Sequence, residues 1–323
     1  MTSPDPSEAG EQSGLPAAIR ARTASVLHFT HNDLDAVGAD AIHRRKYGEV
    51  FTIFCSVGKF SDIFSFVANA PGNGDAISIS DLGFQKAVVP LLKKARANGW
   101  KIEWRDHHRW TGEELATARE NVDYLDVDTQ TCGTGIVARD LLPEDPVAKE
   151  VARVVCDYDL WKHEDPRSAV LGQILQRRKN REYVRDCLAK GVFEDDYIRR
   201  EYNQIQKEMH GIFRRSRRHA TITDGKYRIL FAPMYGYPSE TAAYLRKEFK
   251  SQIEVLVSPD GKFSLRSVPP ISHILARNFN GGGHPNAAGG SFPFTFTDRL
   301  LFWALKRSRH FEPFIAATEK TDA

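Results

Sequence analysis

The sequence predicts an α/β protein of two lobes: an N-terminal, mostly parallel sheet flanked by helices, joined by a helical linker to a smaller α/β domain. Three observations predict it. From Thr23 to about Val170, strand-like apolar runs alternate with helical stretches, the pattern of a parallel sheet covered by helices. Residues 171–225 are charged and helical, with little strand propensity. A second strand–helix pattern begins at Tyr227. The expected divisions are a disordered tail over 1–22, a first domain over 23–170, a connector over 171–225 and a second domain over 226–323.

Each element follows from local composition. Residues 26–29, 50–57, 76–80, 101–105 and 122–125 are short apolar or alternating runs and read as strands. Between and after them, residues 36–47, 61–69, 84–97, 133–142 and 147–155 carry helical patterns. Residues 196–215 are long enough for one helix, which runs into the basic cluster Arg214–His219. That cluster reads first as a solvated helix end, where cations complement the dipole, and second as a track for a nucleic-acid backbone. In the second lobe, residues 229–232 read as a strand and 239–249 as a helix. Residues 253–258 and 262–267 form a hairpin across Pro259-Asp260-Gly261, since Asp-Gly is a strong turn signal. A helix over 271–279, a glycine loop and a last strand over 290–294 complete the pattern.

Composition bounds the function. The 323 residues are 41% hydrophobic, enough for sizeable cores. Net charge is +3, from 45 Lys and Arg against 42 Asp and Glu, which argues against a strongly basic nucleic-acid coat but allows a locally basic cleft. Cys55, Cys132, Cys156 and Cys187 have no C-x-x-C spacing, so neither a disulfide framework nor a cysteine zinc site is expected, and a reducing cytoplasm fits. The first twenty residues are rich in Pro, Ser, Gly and Glu and read as disordered rather than as a signal peptide. No run approaches the roughly 18 apolar residues of a membrane span, so no membrane partner is expected.

The chemistry-bearing residues cluster at strand ends. His31-Asn32-Asp33-Leu34-Asp35 follows the first strand, Asp81 the third and Asp106-His107-His108 the fourth. Asp157 follows the apolar run Val154-Val155-Cys156. In an open α/β sheet the carboxyl ends of the strands share the edge where ligands bind. If the backbone stays extended, alternation puts His31, Asp33 and Asp35 on one side. Taken singly, Asn32 or Asp33 reads as a cap of the following helix, and Asp81 likewise reads as a cap. Together, carboxylates and imidazoles suit divalent metals such as Mn or Zn. Trp100, Trp104 and Trp110 read as packing residues. Gly281-Gly282-Gly283-His284 allows positive φ and close backbone approach to a phosphate or base. Arg266 could grip a phosphate or form a surface ion pair.

These motifs, in this order, resemble the DHH phosphoesterase family: His-x-Asp-x-Asp with a following Gly38, an isolated strand-end Asp81, the triplet Asp106-His107-His108, and an Asp about fifty residues on. Gly281 to Gly289 resembles the signature of the DHH-associated substrate-binding domain, and the likeness covers about residues 24–310. It implies a two-metal phosphoesterase, usually Mn-dependent, with Mg, Co or Zn as alternatives. His31 and Asp33 would bind one ion, Asp35, His107 and Asp157 the other, and Asp81 both. His108 would face the substrate, Asp106 would orient an imidazole, and Arg266, Gly281, Gly282, Gly283 and His284 would bind substrate. Asp159 competes with Asp157, and spacing from the triplet favours Asp157. Ala36 stands where many relatives carry Gly.

The expected activity is hydrolysis of short single-stranded RNA or DNA to nucleoside 5′-monophosphates in a cleft between the lobes, as in nanoRNase-like members. Alternatives are a RecJ-like exonuclease, a 3′-phosphoadenosine 5′-phosphate phosphatase, a cyclic-dinucleotide phosphodiesterase, and an inactive nucleotide-binding protein. Relatives often dimerise, so a homodimer is one expected state.

Overall fold

A computed structural model describes residues 6–322. The chain divides into two compact units, Met1–Tyr202 and Asn203–Ala323.

The first unit opens on helix α1 (Pro6–Ala21), in the region expected to be a disordered tail; residues 1–5 of that tail lie outside the described residues. Composition hides the reason. Leu15 and Ile19, one helical turn apart, pack on the main core, and Ile19 is fully buried.

Strands β1 (Val26–Thr30), β2 (Phe51–Phe54), β3 (Ala76–Ser80), β4 (Lys101–Asp106) and β5 (Tyr124–Val127) form a sheet in the order β2-β1-β3-β4-β5. Every pair is parallel. Helices α2 (Leu34–Tyr47), α3 (Phe60–Ala68), α4 (Val89–Ala97), α5 (Gly112–Asn121), α6 (Gly133–Leu141) and α7 (Pro146–Asp159) accompany it. α8 (Pro166–Ile174), α9 (Arg181–Ala189) and α10 (Asp196–Arg218) follow, and α10 carries the chain into the second unit. The helix expected over 84–97 is shorter: a 3-10 turn precedes α4, whose first turn holds Pro90.

Side chains alternate across this sheet. Leu27, Phe29, Ile77, Ile79, Ile102 and Trp104 bury into one core with Phe60, Phe64 and Leu92. The other face is buried too, but polar. His28 Nδ1 lies 3.1 Å from Asp40 and its Nε2 2.8 Å from Ser80 Oγ. His43 Nε2 lies 2.8 Å from Ser78 Oγ and its ring stacks on His28 at 4.1 Å. Burial pushes the His43 imidazole well below its ordinary value. Every member has a partner, the condition under which buried polar groups are tolerated.

Cys132 and Cys156 form a disulfide between the start of α6 and the end of α7, correcting the expectation that none would form. Spacing along the chain did not reveal it because packing of α6 on α7, not a motif, brings the two together. Among the described residues no helix is long and apolar enough to cross a membrane.

The second unit holds β6 (Thr221–Thr223), β7 (Ile229–Pro233), α11 (Pro238–Phe249), β8 (Ile253–Val257), β9 (Lys262–Ser267), α12 (Ser272–Arg277), β10 (Gly282–His284), β11 (Ala287–Ser291), α13 (Phe296–Leu305) and α14 (Phe311–Glu319). Its sheet runs β10-β11-β9-β8-β7-β6, parallel only between β7 and β8. The β8–β9 hairpin turns at Gly261 with φ +89, a value that favours glycine. The glycine segment is a strand rather than a loop: Gly282 pairs with Gly289 and His284 with Ala287 across a tight Pro285-Asn286 turn. The last strand accordingly ends at Ser291 rather than 294, and two unanticipated helices, α13 and α14, close the unit with Phe302, Phe311 and Phe314 in its core.

Candidate metal centre

β1, β3 and β4 are neighbours, with Thr30 in register with Ser80 and Ser80 with Arg105. His31, Asp81 and Asp106-His107-His108 therefore leave the sheet at one carboxyl edge. Asp81 turns off β3 with φ +52, a left-handed conformation uncommon for a non-glycine residue. Such strain tends to gather at functional sites.

The segment after His31 does not stay extended. Asp33 caps α2, its carboxylate accepting the Ala36 N–H at 3.1 Å, so Asp35 lies in the first helical turn. Ala36, fully buried there, has no positive φ that would call for glycine. Asp35 is gripped from α6: the N–H groups of Gly133 and Thr134 each donate to its carboxylate at 2.7 Å, and Thr134 Oγ1 donates to its carbonyl at 2.6 Å. A helix N-terminus is a natural place to hold a carboxylate.

The side chains converge. His31 Nδ1 stands 2.8 Å from Asp33 and 3.6 Å from Asp81. His107 Nε2 stands 3.3 Å from Asp81 and 3.8 Å from Asp35, and its Nδ1 lies 3.6 Å from Asp159. Three overlapping groups have donor atoms within 4.8 Å of one another: His31, Asp33 and Asp81; Asp35, His107 and Asp159; Asp81, His107 and His108. Asp81 and His107 tie the groups together. His108 Nδ1 lies 2.8 Å from the buried Asp106, whose other oxygen accepts the Trp110 indole N–H at 2.7 Å. Trp110 also packs on Trp104 at 4.9 Å, as its apolar reading implied, but sequence reasoning missed this hydrogen bond.

Electrostatics mark an acid-crowded site. Burial, then the Asp33 and Asp35 charges, pushes the Asp81 carboxyl well above its ordinary range. Burial, then Asp35, raises Asp159 to about 7. Burial likewise raises Asp35. Burial would lower the His31 imidazole, but Asp33 and Asp81 outweigh it and hold the proton up to about 10. Asp33, in turn, falls to about 2 because His31 outweighs its burial. Asp81 Oδ2 and Asp159 Oδ2 are buried with no hydrogen-bond partner. Unpartnered buried carboxylate oxygens beside imidazoles are the donor set that divalent cations take. The residues present fit such ions.

Asp157 is not among them. Its carboxylate accepts Ser168 Oγ at 2.5 Å, the Glu164 N–H at 2.9 Å and the Asp165 N–H at 3.2 Å, and it structures the loop after α7. The geometry thus groups Asp159, rather than the expected Asp157, with Asp35 and His107. Helical spacing alone does not separate the two: Asp157 follows the buried Val154 by three residues and Asp159 follows the buried Val155 by four.

In the second unit, Arg266 on β9 donates to Ser239 Oγ at 2.8 Å, Leu265 O at 2.9 Å and Ser264 Oγ at 3.1 Å. Burial pushes its guanidinium down from its ordinary value. Arg266 is in register with Ala287, which is in turn paired with His284. That order puts Arg266 and the Gly282–His284 strand on either side of β11. A Cβ on Gly281 would fall 2.0 Å from the Gly289 carbonyl, while one on Gly282 would meet nothing. Gly281 is thus glycine for packing, whereas Gly282, Gly283 and His284 are exposed.

Neither a protein-family model nor a curated protein matches the chain. Solved structures do. The DHH domain of a member of the s1p family of ribosomal proteins is similar at 16% identity and a TM-score of 0.58, over 97% of this chain and 90% of that one. RecJ from Thermus thermophilus, in complex with Mn2+, is similar at 17% identity and a TM-score of 0.57, over all of this chain (100%) and 56% of that one. A pGpG-specific phosphodiesterase from Vibrio cholerae is similar at 11% identity and a TM-score of 0.53, over 87% of this chain and 98% of that one. With its parallel five-strand sheet, flanking helices and second mixed-sheet unit, the chain has the fold of the DHH proteins.

Proposed function

We propose that the protein is a two-metal phosphodiesterase that hydrolyses short oligonucleotides to nucleoside 5′-monophosphates. The observation that carries this reading is the half-buried acid–imidazole constellation at the carboxyl edge of the sheet, with two buried carboxylate oxygens lacking partners. In it, His31 and Asp33 would hold one ion, Asp35, His107 and Asp159 the other, and Asp81 both. Mn2+ is the proposed metal, by analogy with the RecJ structure that contains it. Paired divalent cations supply charge neutralisation for phosphate oxygens and an acidified water nucleophile.

The chain's own residues do the rest. The α6 amides fix the Asp35 carboxylate, so its oxygens keep one orientation. Asp106 and Trp110 fix the His108 ring, and Asp106 holds a proton on Nδ1. His108 then presents Nε2 to the substrate. The Asp106 hydrogen bond raises the pKa of the His108 imidazole above its ordinary value, outweighing burial and the His107 charge, which suits donation to a phosphate oxygen or a leaving group. Arg266 and the exposed glycine strand with His284 would bind substrate phosphate through guanidinium and backbone N–H groups.

The short-substrate form of the proposal draws on fold analogy, because pGpG is a dinucleotide and its phosphodiesterase is matched over 98% of its length. The test is Mn-dependent hydrolysis of a 5′-phosphorylated RNA series from dinucleotide to about twenty-mer, a span that exceeds one single-strand site. Preference for two to four nucleotides with mononucleotide products is the expected result. Stepwise digestion of the longest substrates would favour a RecJ-like exonuclease. Turnover only of bisphosphate nucleotides would favour the phosphatase alternative, and turnover only of cyclic dinucleotides the cyclic-dinucleotide phosphodiesterase.

A further inference from the structure

The loop after α7 is wound around Asp157. Besides its three carboxylate contacts, the Asp157 carbonyl accepts the Lys162 N–H at 2.9 Å and the His163 N–H at 3.4 Å. This winding puts two large residues in the left-handed region, Trp161 at φ +58 and His163 at φ +56. Bulky residues rarely adopt it, and when the surroundings enforce it, the position is often functional.

The winding leaves Trp161 in the open. It is 56% exposed, although tryptophan is among the residues that gain most from burial. Its ring is braced: His163 stands nearly perpendicular to it (79°) at 4.3 Å, and Tyr158 lies at 6.2 Å. Tyr158 is seated on Gly172, where a Cβ would fall 2.2 Å from the tyrosine ring. The indole is therefore exposed yet held from behind. It is also near the metal centre. Trp161 follows Asp159 by two residues, so their Cα atoms lie within about 7.6 Å.

We propose that Trp161 is a nucleobase subsite, on which the base next to the scissile phosphodiester stacks. This rests on the phosphodiesterase reading above. A rigid, exposed indole offers a flat π face, and every nucleobase presents a matching one, so the contact tolerates sequence while requiring a base. Such a subsite would position the nucleotide whose phosphate reaches the metal centre. It also gives Asp157 a purpose: its carboxyl and carbonyl groups organise the loop that presents the indole.

The test compares kcat/KM for the dinucleotide pApA with that for its abasic analogue, which keeps the sugars and phosphates, in wild type, Trp161→Ala, Trp161→Leu and Trp161→Phe. Wild type should prefer the base-containing diester. Trp161→Ala and Trp161→Leu should shrink that preference by about 5- to 160-fold, the factor matching one base–aromatic stack, chiefly through KM. Trp161→Phe should retain much of it. If Trp161→Ala does not fold, the Leu and Phe variants carry the comparison. An unchanged preference, or equal losses on both substrates, overturns the subsite and leaves the phosphodiesterase reading standing. Wild-type protein that cleaves neither substrate overturns that reading, and the subsite with it.

Discussion

Gly133 places its backbone N–H 2.7 Å from Asp35 Oδ2, and a Cβ on Gly133 would fall 2.8 Å from that same oxygen and 3.2 Å from the Asp81 Cβ. The first contact orients the carboxylate, and the second leaves no room for a side chain. Alanine is intrinsically the better helix former by about 1 kcal/mol, so propensity alone would favour Gly133→Ala. The steric conflict decides against it. Gly133→Ala should weaken Mn2+ binding by roughly 10–100-fold, the usual cost of disturbing a ligand's supporting contacts. Isothermal titration of the metal measures this, and unaltered affinity would show that Asp35 is not held through α6.

Asp157 and Asp159, two residues apart, have separate partners: the loop after α7 and the His107 imidazole. Asp159→Asn should reduce metal affinity and phosphodiester turnover together, while leaving the loop after α7 folded. Asp157→Asn should instead lower unfolding stability by about 1–3 kcal/mol, the cost of buried donors losing an ionised acceptor, while metal affinity is largely kept. Metal titration and urea denaturation of both variants check the assignment. The opposite pattern would return Asp157 to the ligand set.

The acid crowding implies a pH dependence for protein stripped of metal. Asp159 titrates at about 7 when folded, against an ordinary value near 3.8. Between those values the folded state holds the extra proton, so stability falls as pH rises through the window. Asp81 acts in the same direction. His31, raised to about 10, extends the decline above pH 6.5. Thermal melts in chelator should therefore show Tm decreasing from about pH 5 to pH 8, a trend that Asp159→Asn makes shallower. Divalent cations, which bind the deprotonated carboxylates, should flatten the decline or reverse it.

The Cys132–Cys156 bridge closes a segment with a sequence separation of 24 residues, joining the helix that grips Asp35 to the helix that carries Asp159. Replacing both cysteines with serine should lower stability by roughly 3 kcal/mol, as expected for a loop of this size. Guanidinium denaturation of the two proteins gives the difference. Equal midpoints would mean that the packing of α6 on α7 needs no crosslink.

Much of the architecture was legible in local pattern. The five strands of the first sheet, the change to a charged helical stretch, and the hairpin at Pro259-Asp260-Gly261 all follow from apolar alternation and turn residues. These are short-range preferences that the packed fold does not oppose. Boundaries shifted where capping competed with extension: α2 starts at Leu34 because Asp33 caps it, as its reading as a cap implied and the alternating reading of His31 to Asp35 did not. The tail reading failed at α1 because two apolar residues, Leu15 and Ile19, found a core that composition does not describe.

By itself, the sequence determined the chemical inventory of the site: imidazoles and carboxylates placed directly after strands that must share an edge. Only the tertiary structure decided which of them meet. Asp157 and Asp159 have the same side chain and nearly the same address, and the direction in which α7 presents each one sends one to a loop and the other to His107. Likewise, the grip of Gly133 and Thr134 on Asp35, the Trp110 bond to Asp106 and the cysteine bridge join residues by packing. A carboxylate's role is set by what stands within a few ångströms of it, and that distance is a property of the folded chain.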